Sequence, residues 1–122
     1  MRQGKMLEKE YTVERKHSAA EVGSGHLNVL STPAMIGFME HTAKELADSE
    51  LKEGETTVGI EVNIQHIKAT AIGKTVTVKA TLTERKKNIL FYQVEAYEQE
   101  QLIGKGEHKR AIVDADAFME KL

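Results

Sequence analysis

From Thr32 to Ala47 the chain repeats its apolar residues at helical spacing, and from Thr57 onward it alternates them. That change of period, from about 3.6 residues to 2, constrains the fold more than any other feature. At about 100° per residue, Met35, Ile36, Met39, Ala43, Leu46 and Ala47 fall within about 60° of Thr32, while His41, Glu45 and Asp48 lie opposite. Such a stripe makes one amphipathic helix. Ser31 or Thr32 can cap it, and Pro33, the only proline, suits the first turn, where its missing N–H costs nothing. Gly54 supplies the break, so the helix is expected to stop near residues 51–55.

In residues 57–67, Val58, Ile60, Val62 and Ile64 point one way. Val76, Val78, Ala80 and Leu82 do so in residues 74–84. In residues 88–98 Leu90, Val94 and Ala96 form one face, with Phe91 and Tyr97 on the other. A last strand, 101–113, puts Gly104 and Gly106 on the face of Ile112, which leaves room for a close approach to the backbone. Residues 72–75 and 85–88 read as turns. Ahead of the helix, Leu7, Tyr11 and Val13 mark a first strand over 6–18, followed by a loop at Gly23 and Gly25; residues 114–122 read as a short closing helix. Strands joined by short turns, with one helix to cover them, predict an α+β fold with an antiparallel sheet. No repeat or linker interrupts this order, so residues 1–122 read as a single domain.

Composition narrows the function. The net charge of −2 argues against a nucleic-acid footprint. The absence of cysteine removes disulfides, thiolate nucleophiles and thiolate zinc sites. No apolar run reaches the length of a membrane span, and the first residues lack the apolar core of a signal peptide. A soluble cytoplasmic protein is expected. The five histidines have no HxH or HxxxH spacing, so no metal is expected.

Three positions stand out. His66 ends the even series and so faces the helix, either as a core histidine satisfied by a carbonyl or as a general base. Glu40 borders the apolar stripe, about 12 Å along the axis from Thr32. It reads either as a flank carboxylate paired with Lys44, or as one half out of water that can orient an imidazole, activate water or attack a carbonyl. Thr32 reads as a cap, and equally as a hydroxyl beside the N–H groups and positive dipole that stabilise an oxyanion.

The segments "VLSTPAMIGFMEHTA", "EGETTVGIEVNIQHIKAT", "GKTVTVKATLTE" and "LIGKGEHKRAIV" together resemble the hotdog fold of acyl-CoA thioesterases, in the fluoroacetyl-CoA thioesterase-like branch. The resemblance implies one long central helix wrapped by a five-stranded antiparallel sheet. It implies hydrolysis of an acyl-CoA thioester to a carboxylate and CoA, with no cofactor beyond the CoA of the substrate; it does not fix the acyl group, which is expected to be small. It implies Thr32, Glu40 and His66 as catalytic residues and Gly59 and Arg110 as substrate-binding residues, with His108 beside Arg110. A non-catalytic hotdog domain, binding acyl-CoA or serving as a dimeric scaffold, is the alternative. An enoyl-CoA hydratase is excluded, because no Asp occurs between Asp48 and Asp114. One helix cannot cover five strands on both faces, and Phe91 and Tyr97 lie off the helix side. A homodimer, or a dimer of such dimers, is therefore expected.

Overall fold

A computed structural model describes residues 3–122 of the chain. Strands β1 (Met6–Thr12), β2 (Glu55–His66), β3 (Thr75–Lys86), β4 (Ile89–Glu98) and β5 (Gln101–Asp114) form one antiparallel sheet. Their order is β1-β3-β4-β5-β2, so β2 is an edge. The long helix α2 (Thr32–Asp48) packs on one face of the sheet; α1 (Ala19–Val22) and α3 (Ala115–Glu120) are short. This is the hotdog arrangement.

The core follows the alternation. Val76, Val78, Ala80 and Leu82 from β3, and Leu90, Val94 and Ala96 from β4, are at most 1% exposed. Tyr92 joins them from the same face. Each fully buried aliphatic side chain contributes about 1.5–3 kcal/mol relative to exposure. Gly104 faces the helix, and Gly106 the adjacent strand. A Cβ at Gly104 would collide with Met35, and one at Gly106 with Asn63 and Ile64 of the adjacent strand.

Five sequence expectations change. The first strand stops at Thr12 rather than Ser18, because Arg15–His17 turn into a 3-10 helix in which His17 Nδ1 accepts from the Glu14 N–H at 2.9 Å. The following loop contains α1, capped by the Ser18 hydroxyl and ended by Gly23 at φ 90°. The buried stripe of α2 takes in Phe38 and Thr42, while Ile36 is only half-buried. The cause is β1: Tyr11 stacks on Phe38 at 4.5 Å, and its hydroxyl meets that of Thr42 at 2.8 Å. Thr42 in turn donates to the Phe38 carbonyl, which makes a hydroxyl affordable in the core. The helix ends at Asp48, short of Gly54, which at φ 85° belongs to the turn entering β2.

The fifth change is in β2. Its register against β5 shifts between Gly59 and Glu61, so Ile60 is an extra residue and the alternation resets there. Thr57 is buried where Val58 was expected inside, and Ile60 is 51% exposed. From Val62 to His66 the expected even face holds, paired with His108, Gly106 and Gly104. On the opposite face of the sheet, Phe91 lies under the ammonium groups of Lys109 at 5.1 Å and Lys86 at 5.9 Å.

Candidate active site

Two hydroxyls open α2 and divide two tasks. Ser31 is the N-cap and accepts from the Ala34 N–H at 3.1 Å. Thr32 is thereby free to meet Nδ1 of His66 at 2.8 Å. Pro33 has no N–H to offer, so the N–H of Thr32, which has no partner among the described residues, is the free donor at this helix start. His66, the last residue of β2, is half-buried, and its Nε2 is enclosed without a hydrogen-bond partner. Burial holds the imidazole below its ordinary value, against a smaller opposite effect of the Lys68 backbone, and so favours the uncharged ring. A pocket of about 290 Å³ lies over the pair, bounded by Leu30, Ser31, Ile67 and Lys68.

Glu40 forms a second cluster. Its carboxylate lies 3.5 Å from Arg110 Nη1 and 3.8 Å from His108 Nε2. Lys44, its expected partner, pairs instead with Asp48 at 2.8 Å. Gly59 makes the approach possible, since a Cβ there would run into Glu40 and come within 3.3 Å of Arg110 and His108. Arg110 is 6% exposed and bonds both the hydroxyl and the carbonyl of Thr57. It is an interior cation rather than a surface one.

The structure therefore joins Thr32 to His66, and Glu40 to Gly59, His108 and Arg110. It does not join Glu40 to His66 within one chain. Thr57 escaped the sequence reading because the bulge hides its inward direction. Gly59 inside a strand pattern was the available signal. Among the described residues no group of three or more His, Cys, Asp or Glu side chains is placed to hold a metal ion.

The model of the fluoroacetyl-CoA-specific thioesterase family matches residues 13–116. The chain belongs to that family. This family member is a thioester hydrolase by class, and its relatives agree. It is 33% identical over 94 residues to the fluoroacetyl-CoA thioesterase of Streptantibioticus cattleyicolor, covering 77% of this chain and 68% of that protein. A solved structure of a fluoroacetyl-CoA thioesterase superposes with a TM-score of 0.94 at 28% identity, covering 99% of this chain and 94% of the other. A Thermus thermophilus thioesterase superfamily member gives 0.91 at 25% identity, covering 98% of this chain and 89% of the other.

Proposed function

We propose that this chain hydrolyses a small acyl-CoA thioester to the carboxylate and free CoA, with Thr32, Glu40 and His66 as its catalytic groups. The observation that carries this is His66, held by Thr32 and left with one enclosed, unpartnered nitrogen at the wall of a pocket. Such a nitrogen can take a proton from water. The free Thr32 N–H, or the backbone at Gly59, offers a donor to the developing oxyanion.

The trio cannot serve one carbonyl within one chain. Thr32 and Glu40 are eight residues apart, about 12 Å along the helix. Gly59 and His66 are separated by seven strand positions, about 20 Å. A homodimer resolves this. β2 is a sheet edge, and its Ile60 and Val62 are 51% and 44% exposed. Two copies paired antiparallel along β2, centred near Val62 and Asn63, bring His66 of one protomer beside Gly59 and Glu40 of the other. Arg110 then serves by holding Glu40, and the CoA phosphates are left to surface lysines. A cytoplasmic location belongs to the same proposal.

Two routes fit. In one, Glu40 attacks the thioester carbon and the C–S bond breaks, giving a mixed anhydride that water cleaves. In the other, His66 draws a proton from the attacking water. Single turnover in ¹⁸O water tests the first route: label in Glu40 requires the anhydride, whereas label in the product acid arises from attack of water on the acyl carbon in either route. The test of the function is thiol release from a panel of acyl-CoAs, with acetyl-CoA and fluoroacetyl-CoA among them. Tight binding with no release supports the binding-only alternative instead.

A further inference from the structure

Arg110 reaches the Glu40 carboxylate through a chain of fixed donors and acceptors. Its Nε donates to the Thr57 hydroxyl at 2.9 Å and its Nη2 to the Thr57 carbonyl at 3.1 Å. Its Nη1 lies 3.1 Å from Nε2 of His108 and 3.5 Å from Glu40. His108 is 1% exposed, and its Nδ1 lies 2.8 Å from the carbonyl oxygen of Glu61. A guanidinium offers only donors, and a carbonyl oxygen only accepts. The two partners therefore dictate the ring: Nδ1 carries the proton and Nε2 the lone pair.

We infer that His108 is a positioning residue for Glu40. As the neutral Nδ1–H tautomer it engages one Nη1 hydrogen of Arg110 and leaves the other directed at the carboxylate. An imidazolium would set N–H against N–H at Arg110. Burial, first, and the Arg110 charge hold the ring below its ordinary value; the Glu61 carbonyl and Glu40 act in the opposite direction and are outweighed. The Tyr92 ring, with its centroid 6.4 Å from that of His108, packs beside it. With His108 uncharged, the cation facing Glu40 in this cluster is Arg110, anchored by Thr57 at its far side. The β2 bulge completes the device. It turns Thr57 inward and puts Gly59, with no side chain, where the carboxylate lies.

This inference rests on the proposed role of Glu40 in thioester hydrolysis, so its test has an arm that needs no turnover. Ring-nitrogen NMR at pH 7, assigned by the signal lost in His108→Gln, is expected to show the Nδ1–H tautomer. The Arg110 side-chain N–H signals are expected to be resolved and slow to exchange. They should stay so in His108→Gln, whose amide oxygen still accepts, and collapse in His108→Leu. An Nε2–H or doubly protonated ring, or Arg110 signals unchanged in His108→Leu, overturns the inference whether or not the protein is a thioesterase. In turnover, His108→Leu should lower kcat about tenfold to a hundredfold with KM within about twofold, as a misplaced catalytic group does. His108→Gln should stay within about threefold of the parent. Equal loss in both variants, or a loss confined to thermal stability, reduces His108 to a packing residue. A parent protein with no thiol release on any acyl-CoA removes the proposed function and leaves the NMR arm to decide the positioning.

Discussion

The Thr32 hydroxyl lies 2.8 Å from Nδ1 of His66, a contact between residues 34 positions apart. It ties the first residue of α2 to the last residue of β2. The neighbouring Ser31 makes this possible by taking the capping role. The two adjacent hydroxyls should therefore separate cleanly on mutation. Ser31→Ala should cost about 1 kcal/mol of stability with turnover largely kept. His66→Ala should lower turnover about 10²-fold or more in a folded protein, and Thr32→Ala should follow it. Thermal melts beside thiol-release assays check this. A His66→Ala protein with full turnover and a lower Tm would make His66 a packing histidine.

Gly59→Ala should leave the fold intact and impair the reaction. Its Cβ meets the far end of the Glu40 side chain, which can swing aside. Moving that carboxylate off its Arg110 contact is expected to lower turnover at least about tenfold with a small change in Tm. Glu40→Gln, which keeps the size and removes the nucleophilic or basic oxygen, should be at least as damaging. Unchanged turnover in Gly59→Ala would separate the Glu40 position from the chemistry.

The acid limb of turnover should fall below pH 6.5. His66 must be neutral to accept a proton, and burial depresses its folded value from 6.5. Stability should share this direction. His66 and His108 both bind protons less readily folded than unfolded, so the unfolded chain takes up more protons once pH falls below about 6.5. Their contribution is whole above that pH and is lost as pH falls through the depressed folded values. Urea titrations from pH 8 to pH 5 measure it, and replacing His108 with Gln should flatten the loss.

Complementation tests the assembly. If Glu40 acts with His66 of the partner, an equal mixture of Glu40→Gln and His66→Ala chains, refolded together, should regain about a quarter of parent turnover. About half the dimers are then mixed, with one intact site in two. No recovery in demonstrably mixed dimers would remove the shared site between protomers. Val62→Lys, on the exposed β2 edge, should shift the protein toward monomer in sedimentation.

Tyr11→Phe should cost about 0.5–1.5 kcal/mol, as for a net hydrogen bond, without touching turnover. It removes the hydroxyl that meets Thr42 and keeps the ring stacked on Phe38. A loss near zero in chemical denaturation would show that Thr42 is satisfied by the Phe38 carbonyl alone.

The α+β class, one long helix and the inward faces of β3 and β4 were legible in the sequence because they rest on local periodicity. Val76 through Leu82 must share a face whatever they pack against. Ser31 and Pro33 mark a helix start through short-range geometry alone. The spacing of Thr32, Glu40 and His66 was also legible, through resemblance. Their grouping was not. Which hydroxyl caps and which meets His66 depends on where the end of β2 comes to rest. The inward turn of Thr57 depends on one extra residue at Ile60, against a partner strand some 50 positions away. Arg110, marked as substrate-binding by the resemblance, becomes an interior cation only when β2 folds over it and supplies Thr57. Alternation is a property of the chain alone, and these contacts are not. They arise only when the sheet and helix close on each other, because hydrogen bonds across such separations have no local signature.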